Sequence, residues 1–147
     1  MMNLSKNVKI TQISGVADGA AAATDLTSDI IDMSGFEGVM FIIPFGPIVA
    51  GAVTAIRAQQ GAASNMSDAA DLEGTGQTIA DTDDEKTFVI DIRNPEERYL
   101  RVIVDRATQN ATVGAIIAIQ YGAAKTPTSA GTDVTIETHA SPAEGTA

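Results

Sequence analysis

Apolar and polar residues alternate with a period of two in almost every patterned stretch of the chain, the spacing of half-buried β-strands. Phe88, Ile90 and Ile92 fall on one face of residues 87–92, with Val89 and Asp91 on the other. Leu100, Val102 and Val104 do the same in residues 99–106, opposing Arg101, Ile103 and Asp105. Ile117, Ile119 and Tyr121 alternate with Ile116, Ala118 and Gln120, and Val134, Ile136 and Thr138 with Thr135, Glu137 and His139. All four stretches are rich in the β-branched residues that suit a pleated surface. Residues 8–13, 28–33, 53–60 and 77–80 are shorter strand candidates. Residues 39–45 form a nearly continuous apolar run, the signature of a strand buried on both faces or lying at a subunit contact.

The connections carry turn chemistry rather than helical pattern. Residues 81–85 (Asp-Thr-Asp-Asp-Glu) make an acidic turn, and Arg93-Asn94-Pro95-Glu96 places proline where a tight turn needs a fixed φ. Residues 61–70 are small and polar. Residues 20–23 are alanine-rich enough for a helical turn, but Gly15, Gly19, Asp18 and Thr24 around them favour a loop. Parallel strands need long crossovers, usually helical, and none is visible. The pattern predicts an all-β fold, an antiparallel β-sandwich (jelly-roll or Greek-key-like) of about eight short strands. It divides the chain into one domain over residues 1–139, with an N-terminal arm of about residues 1–7, and an extended tail over residues 140–147.

Composition narrows the chemistry. The 147 residues include 9 Lys+Arg, 19 Asp+Glu, one His and no Cys or Trp, for a formal net charge of −10. A 44% hydrophobic fraction is that of a folded protein. The lack of cysteine removes disulfides, thiolate zinc sites and thiol nucleophiles, and any Ser-His-Asp arrangement would rest on His139. The negative charge argues against nucleic acid as a partner. No apolar run reaches the ~20 residues of a membrane span, and no secretory apolar segment opens the chain, so no membrane partner is expected.

The remaining motifs are weak. Counted from Asp81, the EF-hand positions that require Gly and Glu hold Lys86 and Ile92, so the acidic turn reads as solvated rather than as a calcium loop. Gly74-Thr75-Gly76 lacks the lysine and following helix of a phosphate loop. His139 has only Glu137 near it and reads as a surface residue. No catalytic residue, cofactor site or metal site is expected, and neither is an enzyme.

Charge distribution says more. Lys86, Arg93, Arg98, Arg101 and Arg106 are five of the nine basic residues and fall within 21 positions of an acidic chain. These arginines either pair with local carboxylates or form a protein interface, where Arg and Tyr concentrate. Arg93, Arg98, Tyr99 and Arg101 are the candidate contact residues. Phe41 and Phe45 join them as candidates for an oligomer seam, because Pro44 between them favours an edge without ladder bonds.

Several blocks, taken in order, resemble a family of small structural proteins of tailed bacteriophages. They are residues 32–39 (Asp-Met-Ser-Gly-Phe-Glu-Gly-Val), 53–60 (Val-Thr-Ala-Ile-Arg-Ala-Gln-Gln) and the acidic turn before 88–92 (Phe-Val-Ile-Asp-Ile). Residues 95–104 (Pro-Glu-Glu-Arg-Tyr-Leu-Arg-Val-Ile-Val), 105–110 (Asp-Arg-Ala-Thr-Gln-Asn) and 117–122 (Ile-Ala-Ile-Gln-Tyr-Gly) complete the set. The resemblance covers most of residues 1–125. It implies a capsid decoration, or cement, protein on the outer surface of the virion head, made in the host bacterial cytoplasm. The implied partners are the major capsid protein and further copies of the chain, with a trimer favoured. Such a protein stabilises the capsid by bridging neighbouring subunits. Two other readings stay open: another virion β-domain, tail-tube or fibre-associated, and a carbohydrate-binding β-sandwich, which the absence of Trp disfavours.

Overall fold

The computed structural model describes residues 3–146, and it is all-β apart from one 3-10 turn at Leu4–Lys6. Two antiparallel sheets face each other. The first contains β1 (Lys9–Ser14), β4 (Gly38–Ile48), β8 (Thr87–Arg93), β10 (Ala111–Val113) and β11 (Ile116–Tyr121). The second contains β2 (Leu26–Thr27), β3 (Ile31–Asp32), β5 (Val53–Gly61), β6 (Ala70–Asp71), β7 (Gln77–Ile79) and β9 (Tyr99–Ala107).

Several of these strands are interrupted pieces of one line. β11 pairs β4 with Ile117 opposite Ile42, and β10 continues nearly the same register with Ala111 opposite Ile48, so both lie along one edge of β4. β8 lies along the other edge, Phe41 opposite Ile90. Likewise β2 and β3 share one edge of β9, and β6 and β7 share one edge of β5. Each sheet therefore has four strand positions: β1, β10/β11, β4, β8 in one and β2/β3, β9, β5, β6/β7 in the other. Chain-consecutive strands largely alternate between the sheets, which is jelly-roll order.

The period-two pattern explains the core. Val39, Phe41, Ile43 and Phe45 of β4 point inward, as do Ile116 and Ala118 of β11, and they meet Ile56 and Ala58 of β5 and Leu100, Val102 and Val104 of β9. Each of the larger aliphatic side chains stabilises the fold by about 1.5–3 kcal/mol through burial. Pro44 is not at an edge, as its sequence context suggested. It sits in the interior strand β4 beside the break between β10 and β11, where its carbonyl accepts from Gly114 N–H at 2.7 Å. Its missing N–H falls where the neighbouring ladder is already interrupted.

The loop from Gly15 to Asp25 carries the chain from the first sheet to the second, and Arg106 of β9 holds it. Arg106 is only 4% exposed. Its guanidinium donates to the carbonyls of Thr24 at 2.7 Å, Ala20 at 2.9 Å and Ala111 at 3.1 Å, and its N–H to Asp25 at 3.1 Å. Burial lowers the Arg106 pKa, and the Asp25 charge opposes that shift. Gly19 lies against β10, and a Cβ there would stand 1.9 Å from the Val113 carbonyl oxygen.

Two expected elements differ. Residues 28–33 form no continuous strand; β2 and β3 flank a break at Ser28, whose hydroxyl instead accepts from Val102 N–H at 2.9 Å. The strand expected over residues 134–139 does not form, and the last strand ends at Tyr121. The chain then returns along β1: Thr128 N–H donates to Lys6 O at 2.9 Å and Gly131 N–H to Ile10 O at 2.8 Å. Met1, Met2 and Ala147, in the expected arm and tail, lie outside the described residues. Among those residues, no helix is long and apolar enough to cross a membrane.

Arg106→Met keeps side-chain bulk but removes the guanidinium donors, leaving the partly buried Thr24 and Ala20 carbonyls without them. It should lower the unfolding free energy by about 3 kcal/mol in urea titration. Gly19→Ala should also destabilise, through steric conflict with β10. A loss below about 0.5 kcal/mol for Arg106→Met would mean that water replaces the guanidinium without penalty.

Candidate interaction surface

The two outer faces of the sandwich are chemically unlike. On the first sheet, the register sets Ile10, Ile119, Met40 and Asp91 in one row across β1, β11, β4 and β8. Gln12, Ile117, Ile42 and Val89 form the next row, and Pro44 and Thr87 continue it. These side chains alternate with the core residues, so they point away from the core. Most are half-buried by one another; Val89, at the border strand, is 45% exposed. Tyr121 closes the end of the patch. Its ring lies across Gly38, where a Cβ would come within 2.3 Å of the ring, and its hydroxyl donates to Asp91 at 2.7 Å. Burial, with the Asp91 carboxylate, pushes the Tyr121 phenol up to about 12, so it remains a neutral donor.

The outer face of the second sheet is mostly polar and internally paired, with Val53 exposed at one end and Ile103 opposite Arg57. Arg57 on β5 bridges Asp71 of β6 at 2.9 Å and Asp105 of β9. Gln59 donates to Asp71 at 2.8 Å and accepts from Arg101 at 2.8 Å. Arg98 grips Asp32 with two donors, at 2.9 and 2.8 Å, and its guanidinium stacks 5.3 Å from the Tyr99 ring centroid. Among these carboxylates, the Arg98 bond holds Asp32 below its ordinary pKa, and bonds from Gln59 and then Arg57 do so for Asp71.

This geometry separates the six sequence-predicted contact residues. Arg98, Tyr99 and Arg101 belong to the polar face, where Asp32 engages the Arg98 guanidinium, Tyr99 lies under it and Gln59 engages Arg101 Nε. Arg93 ends β8 beside the apolar face and makes no ion pair among the described residues. Phe41 and Phe45 are 0% and 4% exposed, so they are core residues and not seam residues. Phe45 instead packs edge-on against Phe88 at 5.7 Å. The outward positions of that same run are Met40 and Ile42, which the sequence reading did not single out. Their signal was present: a strand with apolar residues at every position has an apolar outer row whenever it lies in a two-layer sandwich.

The acidic turn has a structural task. Asp84 accepts from Ile48 N–H at 2.6 Å and Asp81 from Gly51 N–H at 2.9 Å, bracing the β4–β5 connection. Asp83 accepts from Lys86 at 2.6 Å, the leading cause of its lowered pKa. Among the described residues, no three His, Asp or Glu side chains converge as a metal site would require. His139 lies exposed in the tail, 3.3 Å from Glu137.

No protein-family model matches the chain, and no curated protein matches it. Among solved structures, it is similar over 79% of its length to PorU from Porphyromonas gingivalis, crystallised as a latent dimer. The identity is 10%, the TM-score 0.43, and the match spans 13% of the PorU chain. At that level of similarity, nothing of PorU's function transfers.

The depressed carboxylates set an acid limit on stability. A carboxylate whose folded pKa lies below its unfolded value of 3.8 stabilises the fold above that value, and the contribution disappears as pH falls through the folded pKa. The melting midpoint should therefore hold nearly level from neutrality to about pH 5 and fall below about pH 4. Asp32→Asn should make that fall shallower. A midpoint that rises on acidification would contradict the assignment.

Proposed function

We propose that the protein is a structural virion component that docks on the outside of a tailed-phage head and stabilises the capsid by bridging neighbouring major capsid subunits. The observation that carries this reading is the contrast between the two outer faces. One is dominated by paired charges suited to water; the other gathers Ile10, Met40, Ile42, Val89, Ile117 and Ile119 over four adjacent strands, the kind of patch that supports an interaction site on a folded domain. The ordered block resemblance supplies the identity of the partner. A chain of net charge −10 resists self-aggregation at high copy number. Across the described strands of the patch, charge is limited to its border, at Asp91 and Arg93. Binding of this kind needs shape and burial but no chemistry, and a decorating oligomer, a trimer in this reading, sums modest contacts through avidity.

Heads carrying the protein should withstand higher temperature or osmotic shock before rupture than heads stripped of it. Equal rupture thresholds would remove the stabilising role. The variant Ile42→Lys with Ile119→Lys changes only outward positions, so it should keep the fold within about 1 kcal/mol while losing head binding. Undiminished binding by a folded variant would place the contact elsewhere.

A further inference from the structure

The four sheet edges of the sandwich are not equally protected. The β2/β3 and β6/β7 edges are each split into strands of two or three residues, a form that resists pairing with another chain. The β1 edge is met by the returning chain, where Gly131 N–H donates to Ile10 O and Thr128 N–H to Lys6 O just before the strand. The β8 edge alone is long and unbroken: seven residues, Thr87–Arg93, paired only on the β4 side. The Val89 carbonyl accepts from the Gln77 side chain at 3.0 Å, so the polar main-chain groups of Val89 point away from β4. By alternation, those of Thr87, Asp91 and Arg93 do the same.

The same chain holds a strand without a sheet. Residues 132–138 carry Val134, Ile136 and Thr138 in period two, with β-branched residues at five of seven positions. Val134 and Ile136 are half-buried and Thr135 and Glu137 exposed, an alternation with no ladder behind it. Beyond the single turn bond from Val134 N–H to Gly131 O at 3.2 Å, the segment makes no main-chain hydrogen bond among the described residues. Its length matches β8. Its charges, Asp133 and Glu137, are opposite in sign to Arg93 at the end of β8 and to Lys86 just before it, which also pairs with Asp83; the one acid in β8, Asp91, accepts from Tyr121.

We propose that residues 132–138 of one copy add as a strand to the β8 edge of a second copy, displacing the Gln77 side chain from the Val89 carbonyl. The segment leaves the body beside β1, at the opposite border of the sheet from β8. The contact is therefore head-to-tail, the class that forms a ring where its rotation closes and a filament where it does not. Main-chain bonds hold the added strand, and the flanking charges select its position. The inference is independent of the capsid reading, because it needs only this chain.

Two full-length proline variants test it, by sedimentation alone and mixed. Val89→Pro removes one outward donor of β8, a place where an edge strand accepts proline, and leaves the tail intact. Thr135→Pro interrupts the tail segment and leaves β8 intact. The unaltered protein should sediment as an oligomer, and each variant as a monomer with unchanged circular dichroism. Mixing the variants should restore a 1:1 complex, because the intact tail of Val89→Pro meets the intact edge of Thr135→Pro. A monomeric unaltered protein, an oligomeric Thr135→Pro, or two folded variants that fail to complement would overturn the proposal. Should Val89→Pro not fold, the state of Thr135→Pro decides alone, since its substitution lies outside the sandwich. Retention of head binding by the monomeric variants would leave the capsid reading intact, so the two fail separately.

Discussion

A buried guanidinium with no ion-pair partner at hydrogen-bond distance is the constraint on which the sandwich depends. Arg106 belongs to the second sheet, yet its donors end on carbonyls of the crossing loop and of β10 in the first sheet. An uncompensated buried charge costs several kcal/mol, so the arrangement persists only because carbonyl oxygens replace the lost water. In exchange, three backbone segments that have few regular partners are drawn to one point. Gly19 permits the approach, since any side chain there would collide with β10. The relative placement of the two sheets follows from this junction as much as from the core.

With the layers placed, the strands present two outer surfaces that solve different problems. The second sheet pairs charges internally through Arg57 and Arg98, and Arg101 bonds the neutral Gln59 beside them. Exposed pairs of this kind add little stability individually, but together they leave that surface polar and well hydrated. The first sheet spends aliphatic residues on its outside, where burial within the single chain returns little of their hydrophobic potential. A single apolar residue at the surface is ordinary; here two adjacent rows each set three apolar side chains on neighbouring strands.

Much of the fold was legible before any coordinates. Period-two spacing located β8, β9 and β11 to within a residue or two, and also β5, and the turn residues separated them correctly. Residues 134–139 have the same spacing and yet form no strand. Periodicity reports the capacity to pair, whereas pairing needs an open edge within reach, and the β1 edge beside this segment is already met by the returning chain at Gly131. The contact residues were harder to read. Clustered arginines look alike in sequence whether they face a partner or an aspartate, and Asp32, which Arg98 pairs with, lies 66 positions before it.

The sequence by itself determined the all-β class, the alternating core and the unsuitability of the chain for thiol or disulfide chemistry. These follow from local spacing and from composition, which need no knowledge of neighbours. Only the tertiary structure decided which half of each alternating pair faces inward. In β11, Ile116, Ala118 and Gln120 are buried while the more apolar Ile117, Ile119 and Tyr121 face out, because the register with β4 fixes the side of every residue at once. The same register placed Phe41 in the core and Met40 outside it. Facing is a property of the pair of strands, and a chain read one residue at a time does not contain it.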